Sequence, residues 1–296
     1  MEQSARSELE FCDCRIRRVP QLSPILVVDL FPRLDSKLIE LLRSLSSGDW
    51  ERQTIAPLWR VKDVAAHLLD TNLRRLSIVR DRFFGEKPEN ADSWEGLVAF
   101  LNGLNADWVK AFRRVSPPAL IDLLEHTGSQ VNDMYRQLDP YGEAVLPVAW
   151  AGEEQSLNWF ELAREYTERW HHQQQIRLAV DRPGIMEREL YFPVLDTFMR
   201  ALPFRYNKVD ADEGAIIKFR VTGDAGGTWF LARRGHKWEL ASEAAGRLAS
   251  EVEFSQDIAW RMFTKGIAKE AARVQIKVSG DRDLGLHVLN VVAVMA

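Results

Sequence analysis

Glu165-Tyr166-Thr167-Glu168-Arg169-Trp170-His171-His172-Gln173-Gln174-Gln175 lies inside a run from Leu157 to Val180 that holds neither Pro nor Gly. That uninterrupted run predicts one long helix, with Ser156 as its N-cap. A helix returns to the same face every three to four residues, so Glu168 and His172 project side by side and His171 points about a quarter-turn away. The pair can hold two edges of a metal's coordination sphere. The third ligand is placed best at His67, in Trp59-Arg60-Val61-Lys62-Asp63-Val64-Ala65-Ala66-His67-Leu68. Two imidazoles and a carboxylate leave a tetrahedral ion one open position, which suits a catalytic rather than a structural site. The frame can also slip, to Glu168 with His171 or to Glu165 with Glu168.

Around this stretch the chain reads as helices first and strands later. Residues 1–24 contain Pro20 and Pro24, lack helical periodicity and read as a tail. A helix is expected from Phe31-Pro32, carrying Leu34, Leu38, Leu41, Leu42 and Leu45 at core spacing, and Ser46-Ser47-Gly48-Asp49 ends it. The aromatic connection through Trp50, Pro57 and Trp59 is expected to pack down. Further helices are predicted at Val61–Phe84, Trp94–Val115 and Ala119–Leu138, separated by Gly85 with Pro88 and by Ser116-Pro117-Pro118. Antiparallel helices joined by loops make a bundle, whose interior is where metal sites are built from facing helices.

Asp181-Arg182-Pro183-Gly184 marks a change of composition, after a bundle at 25–182 and before an α+β region at 183–296. A helix through Leu195 and Met199 opens that region. Ala215–Val221, Thr228–Ala232 and Lys237–Leu240 then read as antiparallel strands, with hairpin turns at Gly226-Gly227 and Arg234-Gly235. Ser250–Phe254 and Val274–Val278 are expected as further strands, Ile258–Lys265 as a helix, and Leu284–Val294 as a closing helix. The fold class is α+β, in two domains, the second smaller.

Composition narrows the partners. The 39 Lys and Arg against 43 Asp and Glu leave a formal charge of −4, so no basic field draws nucleic acid or an anionic membrane. No apolar stretch is long enough to cross a bilayer; Ile25-Leu26-Val27-Val28 is far too short. Cys12 and Cys14 are too few and too close for a disulfide framework, so they read as two exposed thiols in a cytoplasmic protein, of no assigned role.

The Trp-x-Val-x-Asp-Val-x-x-His pattern at Trp59–His67, with Glu-x-x-x-His and the Trp-His-His-Gln-Gln-Gln-Ile run about a hundred residues on, resembles the DinB-like metal-binding bundle superfamily. More narrowly it is similar to the maleylpyruvate isomerase N-terminal domain group, whose characterised members use mycothiol. The resemblance implies an up-down bundle holding a metal at His67, Glu168 and His172, with a sterol-carrier-like domain after it. His171 and Gln175 then stand behind the ligands.

Two functions are open on these residues. One is a metal-dependent enzyme, with zinc as the first ion and nickel or iron as others. It would use a low-molecular-weight thiol to isomerise a small electrophilic substrate, or would transfer the thiol to it; hydrolysis ranks lower. The catalytic group would be a water or thiol at the ion. The other is a non-catalytic metal-bearing bundle whose second domain binds a small ligand or a partner. Arg60, Arg74, Arg75 and Arg177 are available to a carboxylate substrate, and a homodimer is compatible with the sequence. His126, His236 and His287 have no partner at ligand spacing.

Overall fold

The long helix forms as its sequence predicts, and the rest of the molecule packs around it. The computed structural model describes residues 22–86, 93–241, 243–244 and 246–294. Cys12, Cys14, Pro20 and Pro88 lie outside these. Helix α1 spans Phe31–Arg43 with Pro32 in its first turn, and α2 is one short turn, Ser47–Trp50. The Ser46-to-Asp49 stretch therefore starts a helix as well as ending one. Ser46 Oγ accepts from the Asp49 amide and the Asp49 carboxylate accepts from the Ser46 amide, a reciprocal cap.

Helix α3 covers Val61–Arg75, then widens into a π-helical turn at Leu76–Arg80, ending short of the expected Phe84. Helices α4, Trp94–Phe112, and α5, Pro117–Arg136, follow. Helix α6 is Asn158–Val180. Its N-cap is Leu157, not Ser156. The Ser156 hydroxyl instead donates to Glu153 and accepts from the Val148 amide, so it ties the preceding loop. At the other end Asp181 takes a left-handed conformation, φ 55°, and terminates the helix.

Helices α1, α3, α5 and α6 enclose a common interior, α3 lying against both α5 and α6 and α1 against the same two. Helix α4 backs α3 from outside, where the Trp108 indole N–H donates to the Ala66 carbonyl at 2.8 Å.

After α6 come α7, Arg188–Met199, and α8, Leu202–Arg205. The strands are β1, Ala215–Thr222; β2, Gly227–Arg234; β3, Lys237–Ala241; and β4, Arg247–Ser255. Helices α9, Gln256–Phe263, and α10, Lys269–Arg273, precede β5, Lys277–Gly280, and α11 is Arg282–Leu286. The expected strand at Val274–Val278 thus begins later, after a helical turn. The expected closing helix is two short pieces, the second a 3-10 turn at His287–Asn290.

The sheet is mixed, in the order β3-β2-β1-β4-β5. The two hairpins make β1–β2 and β2–β3 antiparallel, but β4 returns to the far side of β1 and runs parallel to it, with Phe219 opposite Val252. The three strands expected as antiparallel are so, and the direction of β4, which no turn residue dictates, comes from its pairing with β1. At the first hairpin a Cβ on Gly226 would sit 2.1 Å from the Val221 carbonyl oxygen, so only glycine fits.

The apolar interior does not stop at Asp181. Trp170 of α6 stacks on Tyr191 of α7 at 4.2 Å and 5°, and meets Trp260 of α9 edge-on. The Trp170 indole N–H donates to the Ile185 carbonyl, and the Tyr166 hydroxyl to that of Leu190. One face of α6 is thereby clamped to the sheet half, which leaves its opposite face to α3.

Candidate metal centre

The face of α6 toward α3 is polar over most of its length and becomes apolar at Ile176 and Val180, which pack with Val61, Val64 and Leu68 of α3. At its start Arg75 of α3 reaches both Glu161 and Glu165, and Arg164 bonds the same two carboxylates, at 2.9 and 2.7 Å. Next, Arg169 donates to Asp35 of α1 and to the side-chain Oδ1 of Asn72 of α3, each at 2.7 Å. Closest to its end come the histidines. Buried charges of this kind persist when paired, and their directional bonds fix how far one helix slides along the other.

His67 and His172 meet in that fixed register. Their ring centroids are 4.7 Å apart with the planes at 73°. Glu168 lies one turn before His172, its Oε2 3.7 Å from His172 Nε2. His171 adds its ring 4.0 Å from that of His172, with Nδ1 3.6 Å from Glu168 Oε2. Single ligand-type atoms of Glu168, His171 and His172 all fall within 4.8 Å of one another. His171 is buried.

The hydrogen bonds assign the protons. His172 Nδ1 faces Gln175 Oε1 at 3.0 Å, so Nδ1 donates and Nε2, on the Glu168 side, keeps its lone pair. His171 Nδ1 faces the Thr167 carbonyl of its own helix at 3.3 Å. His67 Nδ1 is buried with no hydrogen-bond partner. Desolvation is the main reason all three imidazoles resist protonation. It pushes His171 down to about 4 and His172 to about 3, and His67 falls well below its ordinary value. Three neutral imidazoles beside a carboxylate are the form in which such residues ligate a divalent ion.

Trp59 closes one side. Its indole lies 4.7 Å from the His67 ring and 6.0 Å from that of His172. The loop behind it is pinned: Gln53 Nε2 donates to the Ala56 and Trp59 carbonyls at 2.8 Å, and Thr54 Oγ1 donates to the Trp59 carbonyl at 2.7 Å. A Cβ on Gly266, just beyond α9, would stand 3.3 Å from Ile55, so the sheet half reaches this loop too.

The arginines held open for a substrate are engaged elsewhere. Arg60 pairs with Glu51, Arg74 with Asp70, Arg75 with the buried glutamates, and Arg177 donates to the Lys37 and Pro183 carbonyls. His126 contacts Gln130 and His287 the Arg205 carbonyl. Sequence reasoning missed the Asp35–Arg169–Asn72 bonds, and Trp59 as a wall of the cluster. The Trp sits eight residues before His67, and that spacing was its one signal. It also missed that Gln173 is fully buried with neither amide atom hydrogen-bonded, a feature with no sequence signal.

Residues 31–177 match the family of the mycothiol maleylpyruvate isomerase N-terminal domain. Among solved structures the chain is similar to a histidine-to-alanine mutant of the mycothiol-dependent maleylpyruvate isomerase. That match has a TM-score of 0.50 and 13% identity, and covers 85% of this chain and 91% of the other. A structure of the mycothiol-dependent maleylpyruvate isomerase itself gives a TM-score of 0.45 and 14% identity, covering 79% and 86%. At such identities the likeness concerns the fold. A search of curated proteins finds no match.

Proposed function

Because residues 31–177 belong to the mycothiol maleylpyruvate isomerase N-terminal domain family, we propose that this chain is a metal-dependent enzyme that uses a low-molecular-weight thiol to isomerise a small unsaturated electrophile. The ligands in this reading are His67, Glu168 and His172. The observation that carries it is the meeting of His67 and His172 across α3 and α6, with Glu168 beside His172.

The residues fit a divalent ion. His67 Nδ1 is an orphaned buried atom, and the imidazoles are held neutral with lone pairs available. Nitrogen and oxygen donors suit zinc, with nickel and iron as the other choices. When bound, such an ion supplies Lewis acidity, which lowers the pKa of a coordinated thiol and polarises a carbonyl oxygen. Gln175 holds the His172 ring and fixes its tautomer, and the Thr167 carbonyl does the same for His171. Trp59 offers a flat wall for a conjugated substrate and keeps water from one side of the histidines.

In the reaction so read, the thiolate sulfur bonds to the β-carbon of an alkene conjugated to a carbonyl. The former double bond becomes single and rotates. Expulsion of the same thiolate restores the alkene in the other geometry, with no net change of atoms or electrons. Mycothiol, the thiol named for the family, is the first cofactor to try, and a reducing cytoplasm is the setting we assign. Among the described residues no helix is long and apolar enough to cross a membrane.

The test is to prepare wild type and His172→Ala from one medium and measure metal per chain by plasma mass spectrometry, then thiol-dependent turnover of maleylpyruvate. Metal near one equivalent in wild type, lost with turnover in the variant, supports the reading. No metal in either protein after reconstitution with Zn²⁺, Ni²⁺ or Fe²⁺ sinks it.

A further inference from the structure

A cavity of about 410 Å³ opens between α1 and α5 and reaches down to α3 and α6. It falls within the roughly 300–1,000 Å³ typical of small-molecule sites. None of His67, Glu168, His171 and His172 lines it. We propose that this cavity is a second site, built to bind a small neutral polyhydroxylated molecule of about monosaccharide size.

Its floor is polar where a helical interior would normally be closed with aliphatic side chains. Arg169 donates to both Asp35 carboxylate oxygens at 2.7 Å, and Asn132 Nδ2 donates to Asp35 Oδ2 at 2.8 Å. Asn132 is 7% exposed and lines the cavity, yet its Oδ1 is buried with no partner. The network thus leaves one buried acceptor beside the cavity open to a further donor. The space is kept by Gly128, where a Cβ would press on Asp35 Oδ2 at 3.3 Å.

The charges on the walls select a neutral ligand. Arg43 is closed by Glu125 at 2.6 Å, Arg136 by Asp133 at 2.8 Å, and Arg169 by Asp35, so each cationic group that lines the cavity has its counter-ion. Glu40 accepts from Ser36. An anion would face paired arginines, and an ammonium would have to compete with Arg169 for Asp35 or settle on Glu40, which is exposed and screened by water. Hydroxyl groups meet no such competition and supply the donors that Asn132 Oδ1 and the carboxylates accept. Leu38, Leu68 and Leu124 provide apolar wall for the C–H face of a ring.

The experiment titrates the full-length, ¹⁵N-labelled protein with D-glucose, with its cationic counterpart glucosamine and with its anionic counterpart glucuronate, following backbone amides by NMR. The expected result is saturable shifts at Gly128, Ser129 and Asn132 with glucose, weaker with either charged analogue. Asn132→Leu and Gly128→Val should each weaken binding about tenfold while metal content stays that of wild type. The proposal is overturned if these amides do not move with any of the three, if a charged analogue binds as well as glucose, or if both variants fold and bind glucose unchanged. Should either variant fail to fold, the wild-type shift map and the charge series decide alone.

Discussion

The His67 ring on α3 meets the His172 ring on α6 nearly edge-on, 4.7 Å between centroids and 73° between planes, although the two residues are more than a hundred positions apart in the chain. Only His67 of the two has an imidazole nitrogen buried without a partner, and His171 spends its Nδ1 on the Thr167 carbonyl. His67→Ala should therefore weaken Zn²⁺ by ~100-fold or more, and His171→Ala by about tenfold at most. Competition against a chromophoric chelator measures both. A larger loss in His171→Ala would move the third ligand from α3 to α6.

Gln175 acts through His172, whose Nδ1–H it receives. Gln175→Leu should lower metal affinity by about 10- to 100-fold with little change in melting temperature, and Gln175→Glu, which restores the acceptor, should recover it. An unchanged affinity in Gln175→Leu would remove Gln175 from the site.

Arg75 is enclosed between Glu161 and Glu165. Arg75→Met leaves Glu161 and Glu165 buried with Arg164 as the one cation still bonded to both, and is expected to destabilise the fold by about 3 kcal/mol. Urea unfolding at pH 7 checks this. Replacing Arg75, Arg164, Glu161 and Glu165 together by apolar residues should recover much of the loss, since no uncompensated charge then remains.

Arg75, with Arg164 and Arg169, also holds the Glu165 carboxyl down to about 2 against the burial that would raise it. A folded-state value below the unfolded one gives stability that is fully present above about pH 4.5 and is lost as pH falls toward 2. Glu165→Gln should be less stable than wild type at neutral pH and should lose stability less steeply between pH 4.5 and 2. Parallel acid limbs for the two proteins would refute this.

Trp59 stands against both His67 and His172. Loading the apo protein with Zn²⁺ should therefore change intrinsic fluorescence, and Trp59→Phe should abolish most of that change although nine other tryptophans remain of the ten. In the isomerase reading the same variant should raise KM for a conjugated substrate more than it lowers kcat. An equal loss in both would make Trp59 a structural wall only.

Much of this could be seen without a structure. Helix α6 was legible because nothing in Leu157–Val180 interrupts it, and its Glu168/His172 pairing follows from the period of a helix. The strands of both hairpins were legible from alternation and glycine turns. Where reading failed, the cause was a competing contact elsewhere. Ser156 has the right chemistry for an N-cap, but its hydroxyl bonds Glu153 and the Val148 amide. The direction of β4 was not legible because it pairs with β1 through residues more than thirty positions away.

By itself the sequence determined what local periodicity can carry: the helical half, the strands that follow, and two candidate ligands one helical turn apart. The tertiary structure decided everything that depends on which faces meet. It set Arg75 between Glu161 and Glu165, Arg169 between Asp35 and Asn72, and His67 against His172. The physical reason is that a helix repeat specifies neighbours along one element, whereas the register between two helices comes from buried, directional bonds whose partners are distant in the chain.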